Sequence, residues 1–225
     1  MNEITASPLF GIVLSAVCFE IGVYLNRKTL SPLTNPLLVG IVLCILVLKI
    51  FGIPLADYKN VGDIISMLLA PVTAVLAVSV YNRFEILKSN LMPILGGAFA
   101  GSLASIISAY LLCRFFGLDD TLTASLLPKS VTTPIAMEIS AQLGGNASIT
   151  VAAVIYTGIL GAMISPILIK LFKITNPVTR GVAIGTSSHA MGTTAAFSLG
   201  KTEGAMSSVS IGVAGIMTVI IAMFL

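Results

Sequence analysis

The sequence predicts an all-α integral membrane protein: a polytopic bundle of about six spanning helices with two re-entrant, broken-helix hairpins in a transporter-like inverted repeat. Three observations lead to this fold class. The chain has 225 residues, of which 56% are hydrophobic and only 9% charged, whereas a soluble domain carries about 25% charged residues. The apolar runs are long and continuous, which is typical of membrane helices and not of the short alternating strands of a barrel. Two polar stretches, at 122–146 and 181–203, interrupt these runs.

Composition also narrows the function. The net charge of +3 is small and scattered along the chain, which argues against nucleic-acid binding. Cys18, Cys44 and Cys113 each stand alone inside an apolar run, so we expect small hydrophobic side chains and neither a disulfide nor a metal site. Asn2 and Glu3 occupy the place of a basic n-region, and a signal peptide is therefore not expected.

Three helices are predicted in the first part of the chain. Residues 8–25 form the first, and its Glu20 is either an interfacial carboxylate or a transport residue. The motif Asn35-Pro36 opens a second helix, which ends near residue 51 and is short for a bilayer. The third covers 64–81. Pro71 near its middle frees a backbone carbonyl, so this helix is either a kinked scaffold helix or a gating helix that lines the substrate cavity.

Three further apolar segments, at 91–116, 149–172 and 205–225, predict spanning helices in the second part of the chain. The first of them is rich in glycine and other small residues. Its Gly97 and Gly101 form a G-x-x-x-G motif, which predicts close backbone contact with a neighbouring helix or subunit.

Basic residues decide how the two polar stretches are threaded, because cytoplasmic loops carry an excess of lysine and arginine. The residues that mark these loops are Arg27, Lys28, Arg83, Lys88, Lys170, Lys173 and Arg180. The last three lie in the cytoplasm only if the stretch 122–146 dips into the membrane and returns to the side it came from. The stretch 181–203 is then a hairpin that enters from the cytoplasm. Residues 1–90 are predicted to be a scaffold, and residues 91–225 a core with two hairpins of opposite polarity, within a single membrane domain.

Lys129, in the first polar stretch, is the strongest single signal for chemistry. A lysine at membrane depth is costly and needs a partner or a ligand. One interpretation is an ion pair with Glu138 or with Asp119 or Asp120. The other is capture of a small anion, in which half-helix N-termini and neighbouring hydroxyl groups assist. These hydroxyl groups belong to Ser130, Thr132 and Thr133.

Two prolines bracket this cluster. Pro128 and Pro134 both interrupt helical hydrogen bonding, so the backbone between them is predicted to be partly extended. Exposed backbone groups at membrane depth are tolerated only when they are buried in protein or face a wet cavity. Glu138 lies one turn beyond Pro134, where it either pairs with Lys129 or carries a coupling proton.

His189, the single histidine of the chain, is the centre of the second polar stretch. It is either a hydrogen-bonded packing residue or a group that binds a carboxylate or titrates in proton-coupled transport. Gly185 and Gly192 flank it and are expected to let the backbone approach a ligand closely. An enzyme is not expected, because the serines lack a nucleophile elbow and a second histidine is absent. No metal or other cofactor is expected either.

The two polar stretches resemble the two signature motifs of the LrgB/CidB family. The first reads Leu-Pro-Lys-Ser-Val-Thr-Thr-Pro-Ile-Ala from residue 127, and the second reads Gly-Thr-Ser-Ser-His-Ala-Met-Gly-Thr from residue 185. The resemblance extends over nearly the whole chain, including Asn35-Pro36-Leu37-Leu38 and the glycine-rich helix. Two departures are Ser79-Val80-Tyr81, where relatives often have Pro-Leu-Tyr, and Ala195, where a basic residue is common.

The resemblance implies two rival functions. One is an antiholin- or holin-like membrane protein that affects murein hydrolase activity and cell lysis, paired with a small LrgA/CidA-type membrane protein. The other is transport of small carboxylates of the pyruvate, glycolate, glycerate or lactate class, as in the related plastid glycolate/glycerate translocator. A scaffold of this kind is expected to form a homodimer in the lipid bilayer of the cell (inner or plasma) membrane, with multiple passes.

The residues themselves favour the transporter, because two mirrored broken hairpins are typical of alternating access. The antiholin-like function stays as the alternative. Residues predicted to bind the carboxylate lie at the two hairpin tips and are Lys129, Ser130, Thr132, Thr133, Ser188, His189, Gly192 and Thr193. Residues predicted to break helices or act in gating are Pro128, Pro134, Gly185 and Pro71. His189 and Glu138 are the candidates for proton coupling.

Overall fold

The structure is a computed structural model that describes residues 7–29, 34–68, 71, 74–75, 78, 81–82 and 84–225. Every regular element in this part of the chain is a helix, as predicted for an all-α membrane protein. Among these described residues, four helices are long and apolar enough to cross a membrane, and Pro36–Ile50 is a shorter apolar helix. The chain divides into two compact units, Met1–Val72 and Thr73–Leu225.

The first unit contains α1 (Pro8–Thr29), α2 (Pro36–Ile50) and α3 (Leu55–Ser66). The predicted start of α2 is confirmed: Asn35 Oδ1 accepts hydrogen bonds from the backbone N–H groups of Leu37 and Leu38 at 2.9 and 3.4 Å. Pro36 occupies the first turn, where its missing N–H costs no hydrogen bond. Gly22 allows the backbone of Pro36 to approach α1 closely, since a β-carbon there would lie 2.5 Å from the Pro36 carbonyl oxygen.

Helix α3 precedes the predicted third helix. The sequence predicted a helix over 64–81, and its described residues at 71, 74–75, 78 and 81 are helical. The structure adds an earlier helix, Leu55–Ser66, which the sequence analysis did not predict. Charged residues in this segment lower its hydropathy, so an amphipathic helix was overlooked. Tyr58 ties α3 to α1 through a hydrogen bond of 2.8 Å between its hydroxyl and Ser15 Oγ. Pro71 is helical and exposed, while many of its neighbours in the predicted helix lie outside the described residues.

The second unit is built on α4 (Phe84–Ser89) and three long helices, α5 (Leu91–Phe115), α8 (Ala147–Leu171) and α10 (Lys201–Ala222). The long helices confirm the three spans predicted for this half. Ile94 on α5 packs with Met206 and Val209 on α10. These three residues lie in the first turns of their helices. Further along both helices, Ser102 Oγ of α5 donates to the Ala214 carbonyl of α10 at 3.3 Å. Helices α5 and α10 therefore run parallel.

A first hairpin separates α5 from α8. Its arms are α6 (Asp120–Leu126) and α7 (Thr133–Gln142), joined by a turn at 127–132. The end of this hairpin opposite its turn is attached to the beginning of α8, because Ser125 Oγ accepts from the Asn146 N–H at 2.7 Å. The hydroxyls of Thr150 and Ser140 are also hydrogen-bonded at 2.7 Å.

A second hairpin, α9 (Pro177–Leu199), separates α8 from α10. Its helix is broken at His189, where φ is 42° and ψ is −142°. The chain reverses there, since Ile184 and Ala196, on opposite sides of the break, both pack into one cluster with Ile169 of α8. The open end is fixed at the far end of α8, where Arg180 Nε donates to the Ile174 carbonyl at 2.7 Å.

The two hairpins therefore start at opposite ends of α8 and point toward each other. Val131 of the first tip packs against Val154 of α8. A β-carbon at Gly158, one turn further on, would lie 2.6 Å from the His189 ring of the second tip. The tips meet near the middle of the long helices, with the opposite polarity that the basic residues predicted.

Candidate functional site

Side chains from the two hairpin tips line two common cavities. The first, which we call the α8 cavity, has a volume of about 730 Å³ and follows α8 past Lys129, Ser187 and Ser188. The second, the α5 cavity, has a volume of about 670 Å³ and lies between α5 and the first arm of the second hairpin. Lys129 and Ser187 line both cavities. The predicted meeting of the two polar stretches is thus seen in the structure.

Lys129 is held by α5. Its ammonium donates to Ser105 Oγ at 3.2 Å and to the Ser105 carbonyl oxygen at 3.5 Å. The hydroxyls of Ser105 and Ser130 are in turn hydrogen-bonded to each other. This arrangement gives the cation neutral oxygen partners and fixes its position at the first tip.

Within the described residues, no carboxylate forms an ion pair with Lys129. Asp119 caps α6 by accepting from the Leu122 N–H at 2.7 Å, Asp120 pairs with Arg114 at 3.4 Å, and Glu138 is exposed. The structure thus does not form the ion pair that was one interpretation of Lys129. A cation with neutral partners beside two cavities can bind an anion.

Ser105 is a site residue that the sequence did not single out. A serine within a long apolar helix is common, and its only signal was the run of small residues along this part of α5. Its contact with Lys129 joins residues far apart in the chain, which a local pattern does not report.

In each hairpin, the second helical arm begins at the tip. Helix α7 starts at Thr133, and the second arm of α9 follows the break at His189. Helix N-termini carry unpaired N–H groups and a positive partial charge, which favour an anion. Thr132 precedes α7, and its Oγ1 is buried and has no hydrogen-bond partner among the described residues.

The prolines of the first motif frame the tip. Pro128 is fully buried in the turn, and Pro134 lies in the first turn of α7, where proline is well tolerated. Gly185 was predicted to break its helix, but the break lies at His189. Gly185 lies inside the first arm, and a β-carbon there would lie 2.8 Å from Ser207 Cα, so it permits close packing against α10.

His189 lies behind the second tip. It is buried, and its Nε2 lies 3.0 Å from the Val154 carbonyl oxygen; because a carbonyl only accepts, Nε2 carries a proton and donates. Thr193 Oγ1 donates to the His189 carbonyl at 3.1 Å and is hydrogen-bonded to Ser207 Oγ at 2.7 Å. Gly192 packs against Ile184. The residues lining the two cavities do not include His189, Gly192 or Thr193, three of the residues predicted to bind the carboxylate.

Ser188 is the member of the second motif that reaches the α8 cavity. Gly161 of α8 leaves room for it, since a β-carbon at Gly161 would lie 2.5 Å from Ser188 Cβ. The described residues contain no cluster of histidine, cysteine and carboxylate side chains suited to a metal ion. The polar groups at the centre are thus an ammonium, hydroxyls and helix N-termini.

The fold and the site together define a class: a multi-pass helical membrane protein with two opposed half-helix hairpins that meet around a lysine. Comparison with known proteins gives the family. The model of the LrgB-like family matches residues 15–225, and the chain belongs to this family. The resemblance seen in the two motifs is therefore confirmed.

Individual relatives agree with this assignment. The chain is 40% identical over 220 residues to the antiholin-like protein LrgB of Bacillus subtilis (strain 168), covering 97% of this chain and 95% of that protein. It is 34% identical over 218 residues to the proteins of the same name from Bacillus mycoides (strain KBAB4) and Bacillus cereus (strain B4264), covering 96% of this chain and 95% of each relative. No solved structure matches the chain.

Proposed function

We propose that this LrgB-family protein transports small carboxylates of the pyruvate, glycolate, glycerate or lactate class across the cell membrane by alternating access. The observation that carries the proposal is Lys129. Its ammonium faces two cavities, has only neutral partners among the described residues, and lies where the tips of two opposed hairpins meet.

The chemistry of the tips suits a carboxylate. An unpaired ammonium away from bulk water is costly, and a bound anion offsets that cost. The N-terminus of α7 adds positive partial charge at the same place. Ser130 and Ser188 offer hydroxyl groups from the first and the second tip. In this proposal the carboxylate binds to Lys129, and the hydroxyls orient it.

The arrangement of the hairpins suits alternating access. Each hairpin is anchored at a different end of α8, so a movement of either one opens the centre toward a different side. Broken helices that meet near the middle of a bundle are a known architecture of secondary transporters. Glu138 and His189 remain candidates for proton coupling, with His189 acting from behind the tip.

The second candidate is an antiholin-like membrane protein, and the comparisons back it more directly than transport. The relatives in three Bacillus strains carry that name. In this function the chain works in the membrane with a small LrgA-type protein and modulates lysis. A homodimer is part of our proposal in either case. The two functions are compatible if a change in carboxylate flux alters lysis indirectly.

Uptake of radiolabelled glycolate and pyruvate into proteoliposomes separates the candidates. A carrier gives saturable uptake and keeps a trapped fluorescent dye inside the vesicles. Dye release without saturable uptake would contradict the transport proposal and favour a pore-type role in lysis. Addition of a proton gradient to the same vesicles tests coupling.

A further inference from the structure

Thr186 is a polar residue of the second motif that the proposed site does not yet use. It lies in the first arm of α9, three residues before the break, and its residue surface is only 4% exposed. Its Oγ1 is buried and lacks a hydrogen-bond partner within the described part of the chain. Such a group is costly in a folded protein unless something else satisfies it.

The surroundings of Thr186 indicate what that partner is. Thr186 lines the α5 cavity together with Lys129, Ser105 and Ser130. Its methyl group packs on Gly101, where a β-carbon would lie 2.6 Å from Thr186 Cγ2. The glycine of the G-x-x-x-G motif thus makes room for this side chain and restricts its rotation.

The hydroxyls of the next two residues, Ser187 and Ser188, do have hydrogen-bond partners. Ser187 Oγ lies 3.4 Å from the Ile184 carbonyl and 3.0 Å from Ser188 Oγ. Both serine hydroxyls therefore have a hydrogen-bond partner within the second tip, a bond that Ser188 would exchange for one to the carboxylate in the proposed function. Of residues 186–188, Thr186 is the one whose hydroxyl has no hydrogen-bond partner among the described residues.

We infer that Thr186 is a ligand-binding residue, and that its hydroxyl bonds an oxygen of the anion bound at Lys129 from the α5 cavity. The inference rests on the proposed function and deepens it. It also gives the α5 cavity a role: the anion binds in this cavity, whose lining includes Thr186, Ser105 and Lys129.

The test is Thr186→Val, which keeps the shape of the side chain and removes only the hydroxyl. We expect the KM for glycolate in proteoliposomes to rise about threefold to tenfold, the value of one net hydrogen bond. Thr186→Ser, which retains a hydroxyl, stays within about twofold of the native KM. The unfolding temperature of Thr186→Val in detergent does not fall, because the hydroxyl has no protein partner to lose.

Thr123→Val is the matched control. Thr123 is also a buried threonine, but its Oγ1 donates to the Asp119 carbonyl at 2.8 Å in the first hairpin. This variant is expected to lower the unfolding temperature and leave the KM for glycolate unchanged. The two valine variants therefore give opposite patterns if Thr186 binds the ligand.

Binding without transport is measured separately, as the rise in unfolding temperature that glycolate produces in detergent. If the native protein shows this rise but no uptake, the proposed function fails, and a smaller rise for Thr186→Val still supports the inference. If Thr186→Val has native KM and a native glycolate-induced rise, the inference is overturned while the transport proposal stands. A fall in its unfolding temperature equal to that of Thr123→Val would also overturn it, by showing a structural hydroxyl.

Discussion

Replacement of Lys129 by methionine isolates its charge. Methionine is also unbranched and flexible, so it fills much of the same volume without an ammonium group. If Lys129 binds the carboxylate, this variant loses transport but not its fold. Lys170→Met, at the exposed end of α8, is the matched control and is expected to behave like the native protein.

The size of the effect follows from the surroundings of the ammonium. An ion pair at about 4 Å with an effective dielectric constant of about 20 contributes about 4 kcal/mol, and desolvation of the two ions offsets part of this. A net loss of about 2–3 kcal/mol corresponds to a decrease of about 30- to 150-fold in kcat/KM. Ser105 and Ser130 can still hydrogen-bond to each other, so the tip keeps its internal contact.

The assay combines initial rates of glycolate uptake with the unfolding temperature in detergent. We expect a large loss of kcat/KM at an equal or higher unfolding temperature, because a partly buried cation without a carboxylate partner does not stabilise the fold. Native uptake by Lys129→Met would refute the reasoning. A loss of uptake together with a clear loss of stability would show that Lys129 is a structural residue instead.

The remaining predictions concern the frame that holds the tips. Gly185→Ala places a β-carbon against the backbone of Ser207 and is expected to cost about 1–3 kcal/mol of unfolding free energy, whereas Gly96→Ala meets nothing within 4 Å and is neutral or stabilising. Thermal unfolding measures both, and equal behaviour would contradict the packing described here. Arg180→Ala leaves the buried Glu203 carboxylate, 3.5 Å from its guanidinium, without its partner and costs about 2 kcal/mol; adding Glu203→Gln recovers most of this loss, and a failure to recover would show that the pair is not coupled. Single cysteines at exposed positions 147, at the beginning of α8, and 175, four residues beyond its end, are expected to react with an impermeant thiol reagent from opposite sides of the membrane, so labelling of both from one side would contradict the threading.

The long helices were predictable because their signal is local. Apolar runs gave α5, α8 and α10 nearly at their observed bounds, and Asn35-Pro36 marked the beginning of α2 through cap chemistry alone. The two polar stretches were also visible, since Lys129 and the prolines at 128 and 134 contrast with the apolar sequence around them. Charge in the loops then gave the opposite polarity of the hairpins.

Contacts between distant residues were not predictable in the same way. The partner of Lys129 is Ser105 on α5, and the partner of His189 is the Val154 carbonyl on α8. Neither pair leaves a periodic trace in the sequence. Gly97 and Gly101 illustrate the same limit: the motif predicted a close neighbour, and only the structure shows that this neighbour is the second hairpin, at Val182 and Thr186.

The helix α3 was missed for a different reason. Charged residues at 57, 59 and 63 lower its hydropathy, and the contact that places it beside α1, between Tyr58 and Ser15, joins residues far apart in the chain. A polar helix of this kind is therefore hard to predict from hydropathy alone, because the contact that positions it is not local in the sequence.

Counterflow is the measurement that tests the transport proposal most directly. Proteoliposomes loaded with excess unlabelled glycolate are diluted into a trace of labelled glycolate, and internal label is followed over time. A carrier that alternates access exchanges internal for external substrate, so we expect the label to rise transiently above its equilibrium level and Lys129→Met to show no such peak. A monotonic approach to equilibrium, with the same rate at all internal glycolate concentrations, would indicate a channel or a leak and would contradict alternating access between the two hairpins.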